Sequence, residues 1–389
     1  MDLLGVPLLL LTVVLALAAP VGALLLWGRV RGSGGVQAAQ RLGLVVLCQL
    51  TAVLLASVVL NHQFAFYESW SDLFGSSGGG VVQGSDAGNG TADGTTNGTT
   101  NGTTNGDANG TSGVSTSGAR TLPPIPGLVR ISGDRRVTRE EVRGPRSGVT
   151  SEVTFLTPPG YADPANAGKR YPVVEFLPGY PGTPSTWINR LGLQDVMDAE
   201  IAAGRVQPFV AVLPKMNIDG NRDLECSDVV GGPPAGTWLG VDVPHIVQSQ
   251  VRALPPGKDW AVAGYSTGGF CSAKLELQYP QTFGSAAVLS GYFSPDTSTG
   301  PDGLFRGDQQ RLDANDPMWI VRHSTVPAAR VLVVYSVQDP ETAQASRAFL
   351  AAARPPLTVE QIKLAQGGHN TGVWQGVLPQ VLQWLSRSV

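Results

Sequence analysis

The chain has 389 residues, of which 42% are apolar and 15% charged, so it can form one large domain with a sizeable core plus accessory segments. A net charge of −3 and the lack of a basic stripe with interleaved aromatics argue against a nucleic-acid partner. The three cysteines form no CxxC pair and the four histidines are scattered singly, so no zinc or other metal site is predicted.

Two apolar segments, residues 3–27 and 42–60, open the chain and predict a two-helix membrane anchor over residues 1–62. Each is long enough to cross a hydrocarbon core of about 30 Å. The connector between them carries no acidic residue and three basic ones, Arg29, Arg31 and Arg41. The positive-inside rule therefore predicts a cytoplasmic connector, with everything after the second segment on the extracytoplasmic side of the cell membrane.

The alternative for the first segment is a cleaved signal peptide, because Ala16-Leu17-Ala18 resembles a cleavage site. The start of the chain carries Asp2 and no positive charge, and the apolar run continues well beyond that site, which favours an uncleaved anchor. Cleavage would place the rest of the chain on the opposite side of the membrane.

Residues 63–120 are predicted to be a flexible linker, because residues 75–120 are dominated by Gly, Thr, Asn and Ser. Such a segment buries too little apolar surface to offset its ordering entropy, and it would tether a domain at a distance from the membrane. Its Asn-Gly-Thr sequences are either glycosylation sites or a repeat that happens to spell them. They begin at Asn89, Asn97, Asn101 and Asn109.

Residues 121–148 are predicted to be an N-terminal arm and residues 149–389 a catalytic domain in which strands and helices alternate. The strands are expected at 149–156, 171–177, 209–213, 260–265, 286–289, 330–335 and 359–364. The helices are expected at 193–203, 243–253, 268–279, 341–352 and 373–386. This alternation predicts an α/β fold, a mostly parallel sheet with helices on both faces and a site beyond the carboxyl ends of its strands.

The motif Gly264-Tyr265-Ser266-Thr267-Gly268 follows an apolar strand and precedes a helix. In that context G-x-S-x-G holds a serine on a strained turn and exposes its hydroxyl, so Ser266 is the predicted nucleophile. The alternative is a glycine-rich turn with an incidental serine. A serine needs a base, and the histidine in the loop between the last strand and the last helix, His369, has the chain position of one. The other three histidines lie elsewhere: His62 after the second apolar segment, His245 in a helical pattern and His323 in an irregular insert.

The acid is expected after the strand 330–335, where the loop offers two carboxylates. Asp339 is preferred because it comes first and precedes a stiffening proline, and Glu341 is the alternative. The oxyanion is expected to bind the backbone N–H groups of Thr267 and of Tyr180, the latter from the loop Pro178-Gly179-Tyr180-Pro181. A Pro/Gly turn without function is the alternative for that loop.

These residues resemble the putative-esterase (esterase D-like) family of α/β hydrolases, and Gly367-Gly368-His369-Asn370 with Trp374 is similar to its mycolyltransferase branch. The resemblance covers residues 150–388. It extends to Gln278-Tyr279-Pro280-Gln281-Thr282-Phe283, Leu289-Ser290-Gly291 and Asn315-Asp316-Pro317. It implies an α/β-hydrolase fold, the triad Ser266, Asp339 and His369, and the oxyanion donors Tyr180 and Thr267.

Where the mycolyltransferases carry an Asp and an Arg that hold trehalose, this chain has Pro178 and Pro181, so hydrolysis is expected to dominate over transfer to trehalose. The predicted function is a cofactor-free extracytoplasmic serine ester hydrolase acting on a small-molecule or envelope ester. The alternatives are an acyltransferase that delivers to a sugar or envelope alcohol and a non-catalytic surface protein. Cys226 and Cys271 are predicted to form a disulfide outside the membrane, with two buried thiols as the alternative.

Overall fold

The computed structural model describes residues 6–64, 136–220, 222–295 and 303–389. Residues 65–135 lie outside this description, and with them most of the expected linker, its four Asn-Gly-Thr sequences and the first half of the expected arm.

Two apolar helices begin the described chain, α1 (Val6–Trp27) and α2 (Gly34–Phe64). Each contains a window with a mean hydropathy of at least 2.5, so both are long and apolar enough to cross a membrane by length and composition. A membrane anchor and a signal sequence both meet that criterion. The helices contact each other where Leu8 packs against Val58.

A single eight-stranded sheet forms the centre of the globular domain. Its strands are β1 (Val137–Arg143), β2 (Thr150–Leu156), β3 (Val173–Leu177), β4 (Val210–Pro214), β5 (Gly257–Tyr265), β6 (Phe283–Leu289), β7 (Arg330–Ser336) and β8 (Thr358–Leu364). They lie in the order β1-β2-β4-β3-β5-β6-β7-β8. β2 pairs antiparallel with β1 and β4, and every other pairing is parallel.

The strand β1 comes from the segment expected as an arm. Its sequence Val-Thr-Arg-Glu-Glu-Val-Arg is charged, and only Val142 within it is buried. An edge strand of that composition has no apolar alternation to reveal it, whereas the buried parallel strands are nearly continuous apolar runs.

Seven α-helices of six or more residues lie in the described part of the domain: α3 (Leu193–Ala202), α4 (Val243–Gln250), α5 (Thr267–Gln278), α6 (Gln309–Ala314), α7 (Pro317–His323), α8 (Pro340–Ala352) and α9 (Thr371–Ser388). The predictions for α3, α4, α5, α8 and α9 are met, while α6 and α7 were not predicted. The placement of His323 in an irregular insert was wrong, because it is the last residue of α7. That helix begins where the Asp316 side chain accepts a hydrogen bond from the Trp319 amide at 3.0 Å and Pro317 takes the first helical position.

Two apolar layers cover the sheet. Residues of α4, α5, α7 and α8 pack on one face, around Trp260 and Phe270. Residues of α3 and α9 pack on the other, around Phe176 and Trp187. The predicted mostly parallel sheet with helices on both faces is therefore confirmed. The carboxyl ends of β3, β5, β7 and β8 all reach the same edge of this sheet.

Candidate active site

Ser266 lies in the one-residue turn between β5, which ends at Tyr265, and α5, which begins at Thr267. Its backbone has φ 56° and ψ −125°, a conformation that costs a non-glycine residue free energy and persists only where packing fixes it. A Cβ on Gly264 would lie 2.1 Å from the Gly268 carbonyl oxygen, and one on Gly268 would lie 2.3 Å from the Leu177 oxygen. Both positions therefore require glycine, as the motif indicated.

His369 lies in the loop between β8 and α9, and its Nε2 is 2.8 Å from the Ser266 Oγ. The loop is held by a hydrogen bond from the Gly367 amide to the Gln338 Oε1 at 2.9 Å and by one from the Ser336 hydroxyl to the Gly367 carbonyl. The imidazole keeps 36% of its side-chain surface exposed, so a substrate can reach it.

Trp374 supports the imidazole from α9. The His369 ring meets it edge-on, with ring centroids 5.1 Å apart and planes at 90°. The indole also stacks on Tyr265 at 4.4 Å and donates from Nε1 to the Ser290 Oγ at 3.0 Å. The sequence indicated Trp374 only because it lies close to His369 along the chain, and the structure places its indole against the imidazole ring.

The other imidazole nitrogen is hydrogen-bonded to Asp339, whose Oδ2 is 2.8 Å from His369 Nδ1. The carboxylate follows β7 and immediately precedes α8, and the Thr342 hydroxyl donates to the same Oδ2 at 2.5 Å. Glu341, the alternative acid, lies exposed in the first turn of α8. The structure thus brings Ser266, His369 and Asp339 into one hydrogen-bonded line.

The two expected oxyanion donors flank Ser266. Thr267 is the first residue of α5, and a first-turn amide has no acceptor within its own helix. Tyr180 lies in the loop after β3, which approaches Ser266 so closely that a Cβ on Gly179 would be 3.0 Å from the Ser266 Cβ. Asn217 ties this loop down by donating to the Gly182 carbonyl at 3.0 Å.

The remaining histidines lie apart from this line. His62 is near the end of α2, and His245 is in α4. His323 ends α7, where its Nδ1 is 3.0 Å from the Trp319 carbonyl oxygen. Within the described ranges, no group of three or more His, Cys, Asp or Glu residues is placed to hold a metal ion.

A buried polar cluster that the sequence did not reveal adjoins Thr267. The Thr267 hydroxyl donates to the Asp223 Oδ2 at 3.1 Å, and the Tyr292 hydroxyl donates to the Glu225 Oε1 at 2.8 Å. Burial, followed by the negative charge of Glu225, raises the pKa of Tyr292 far above its ordinary value. No local sequence motif indicates this cluster, because the residues that pair in it come from separate loops.

Lys274 completes this cluster from α5 and is wholly buried. Burial lowers the pKa of its amine to about 7, against the opposing effect of the Glu225, Asp228 and Asp223 carboxylates. Three residues earlier on the same helix, Cys271 is joined by a disulfide to Cys226, with 5.8 Å between their Cα atoms.

Comparison with known protein families and curated sequences gives consistent results. A family model described as putative esterase matches residues 146–388. An uncharacterized protein of Corynebacterium glutamicum is 23% identical over 276 residues, covering 65% of this chain and 63% of the relative. An iron(III) enterobactin esterase of Dickeya dadantii is 27% identical over 211 residues, covering 51% and 45%. The chain thus spans less than two thirds of the length of these relatives.

Solved structures share the fold. A ferulic acid esterase superposes with a TM-score of 0.55 at 20% identity, covering 65% of this chain and 98% of that one. An S-formylglutathione hydrolase from Agrobacterium tumefaciens gives 0.54 at 15% identity, covering 65% and 94%. MPT51 of Mycobacterium tuberculosis gives 0.52 at 18% identity, covering 66% and 100%. The expectation of an α/β-hydrolase fold is therefore confirmed.

Proposed function

Because the chain belongs to the putative esterase family, we propose that it is a serine ester hydrolase that uses Ser266, His369 and Asp339 as its catalytic triad. The observation that carries the proposal is the line of two hydrogen bonds, each 2.8 Å long, from the Ser266 Oγ through both imidazole nitrogens to the Asp339 carboxylate. The order Ser, Asp, His along the chain is that of this fold's hydrolases.

In the first half-reaction, His369 Nε2 takes the proton of Ser266 while its Oγ attacks the carbonyl carbon of the ester. The tetrahedral oxyanion is stabilised by the backbone N–H groups of Thr267 and Tyr180, and by the N-terminus of α5 behind them. When the intermediate collapses, His369 returns the proton to the leaving alcohol and an acyl-enzyme remains.

Water completes the reaction. His369 accepts a proton from the attacking water, the oxyanion forms again in the same place, and Ser266 leaves with the proton as the carboxylic acid is released. Asp339 accepts the Nδ1–H throughout, which fixes the tautomer and stabilises the imidazolium. Transfer of the acyl group to an alcohol would use the same steps, but Pro178 and Pro181 beside Gly179 supply neither a backbone donor nor a polar side chain with which to orient a sugar.

For the location, we propose that α1 and α2 anchor the chain in the cell membrane with the catalytic domain outside. The arginines of the connector favour that orientation, and a disulfide in the domain suits an oxidising compartment. Protease added to intact cells should release the domain by cutting within residues 65–135. Release only after lysis would mean that the opposite placement, expected for a cleaved signal, is correct.

The test of the nucleophile is labelling of the full-length protein with a fluorophosphonate probe. The wild type should be labelled covalently, and Ser266→Ala should abolish labelling with an unchanged circular dichroism spectrum. Ser249→Ala is the matched control, because that hydroxyl donates only to the Ile246 carbonyl within α4. Equal labelling of wild type and Ser266→Ala would reject the proposal.

A further inference from the structure

The loop that follows β4 is attached to α5 at two points one helical turn apart. The first is the Cys226–Cys271 disulfide. The second is the Lys274 ammonium, whose Nζ donates to the Glu225 carbonyl at 2.9 Å and to the Ser227 Oγ at 2.6 Å. Because α5 begins directly after Ser266, both attachments fix the loop relative to the nucleophile.

Between these attachments the loop is bent into an uncommon conformation. Glu225 and Cys226 have φ values of 46° and 49°, in the left-handed region that non-glycine residues rarely adopt. The Asp223 Oδ1 accepts a hydrogen bond from the Glu225 amide at 2.9 Å, which closes the bend. Backbone strain of this kind persists where the surrounding structure enforces it, and it often accompanies a functional site.

The bend aims a carboxylate at the residue next to the nucleophile. The Asp223 Oδ2 accepts the Thr267 hydroxyl at 3.1 Å, and Thr267 itself is only 6% exposed. A negative charge here does not help to stabilise an oxyanion by its field, since like charges repel. Burial lowers the pKa of the neighbouring Lys274 amine to about 7, so this group does not keep a full compensating positive charge at neutral pH. The Asp223–Thr267 hydrogen bond is therefore best explained by its effect on the orientation of Thr267.

We propose that Asp223 is a positioning residue that holds Thr267 through its hydroxyl, so that the Thr267 amide points at the oxyanion, and that the Cys226–Cys271 disulfide keeps Asp223 in place. This inference rests on the proposed serine hydrolase function. It assigns to the loop after β4 a role in the rate of the chemical step, beyond holding the fold together.

The test separates the Thr267 side chain from its backbone. Thr267→Val removes the hydroxyl, preserves the shape and leaves the amide in place, and Thr267→Ser restores the hydroxyl. With the full-length protein and 4-nitrophenyl butyrate, Thr267→Val should lower kcat about tenfold, less than the 10²–10³ typical of deleting an oxyanion donor. KM and the melting temperature should change little, and Thr267→Ser should recover most of the activity.

Two further variants complete the test. Asp223→Asn should reproduce the loss in kcat, whereas Asp228→Asn should not, because that carboxylate of the same loop binds the amide and hydroxyl of Thr237. When it is introduced into the otherwise wild-type protein, the double substitution Cys226→Ala, Cys271→Ala should also lower kcat. It should cause no further loss in the Thr267→Val background, since both changes break the same connection from the disulfide through Asp223 to Thr267.

The outcomes distinguish the two proposals. If wild-type turnover does not depend on Ser266, the proposed function is wrong and this inference falls with it. If turnover depends on Ser266 but Thr267→Val keeps the wild-type kcat, the proposed function stands and only the positioning role is rejected. Fully additive losses from the cysteine and Thr267 substitutions would reject the link to the disulfide.

Discussion

On one side of Ser266 lie His369 and Asp339, on loops that reach solvent, and on the other lies the cluster of Asp223, Glu225 and Lys274, locked under a disulfide. The His369 side chain is 36% exposed, whereas Lys274 is fully buried and its pKa is lowered to about 7. In the proposed mechanism a proton moves on the first side, so its base has to meet substrate and water. No proton transfer is required on the second side, where hydrogen bonds and the Cys226–Cys271 disulfide hold the residues in place. The groups proposed to react and the groups that hold them are therefore supported by different physical means.

The largest expected effect is on the side of His369. Asp339→Asn should lower kcat by about 10⁴, because an amide nitrogen at the Oδ2 position donates to Nδ1 and so selects the wrong imidazole tautomer. Glu341→Gln, two residues along and exposed in the first turn of α8, is the matched control and should change kcat little. Steady-state kinetics on both variants would settle the ranking, and the reverse order would move the acid to Glu341.

That side of the site was predictable because its signals are local. Ser266 follows from G-x-S-x-G between a strand and a helix, and His369 and Asp339 follow from their positions after the last two strands. Asp223 is 44 residues from Thr267, Lys274 is 49 from Glu225, and Tyr292 is 67 from Glu225. Contacts between loops so far apart leave no periodic or motif signature, so tertiary packing alone brings the second side together.

The elements of the fold also differ in how far the sequence predicts them. Strands buried on both faces were predicted from continuous apolar runs, because burial dictates their composition. The charged edge strand β1 and the short helices α6 and α7 were not predicted. Many of their residues face solvent or form helix caps, so their composition lacks the continuous apolar pattern of a core element. The one local clue to α7 was Asn315-Asp316-Pro317, in which an N-cap aspartate precedes a proline.

A smaller effect, on stability, is expected on the buried side. Lys274→Met should lower the free energy of unfolding by about 2 kcal/mol at pH 8, because the Glu225 carbonyl and the Ser227 hydroxyl lose their hydrogen-bond donor in a buried site. Lys258→Met, which removes an ammonium that is 88% exposed, should cost almost nothing. Denaturant unfolding measures both.

The same variant has a pH signature. The folded-state pKa of Lys274, about 7, lies below its ordinary value of 10.5, so the unfolded chain binds the proton more tightly between those values. Wild-type stability therefore gains from this group as pH rises from about 7 to 10.5, and the deficit of Lys274→Met should widen over that range. A deficit that narrows would contradict the burial of a titrating amine.

A second buried ionisable group on α5 is Glu276. Neither of its carboxyl oxygens has a hydrogen-bond partner among the described residues, and burial raises its pKa from 4.5 to about 8. The folded protein then holds a proton that the unfolded chain releases, so the stability from this group is fully present below pH 4.5 and is lost as pH rises through 8. We expect the slope between those values to be at most about 1.4 kcal/mol per pH unit for one group. Glu276→Gln should flatten the decline, whereas the exposed Glu341→Gln should leave it unchanged, as measured by denaturant unfolding at pH 5, 6.5 and 8. If Glu276→Gln declines as steeply as the wild type, Glu276 is ionised in the folded protein. The buried side of the nucleophile helix would then carry more negative charge than its packing implies.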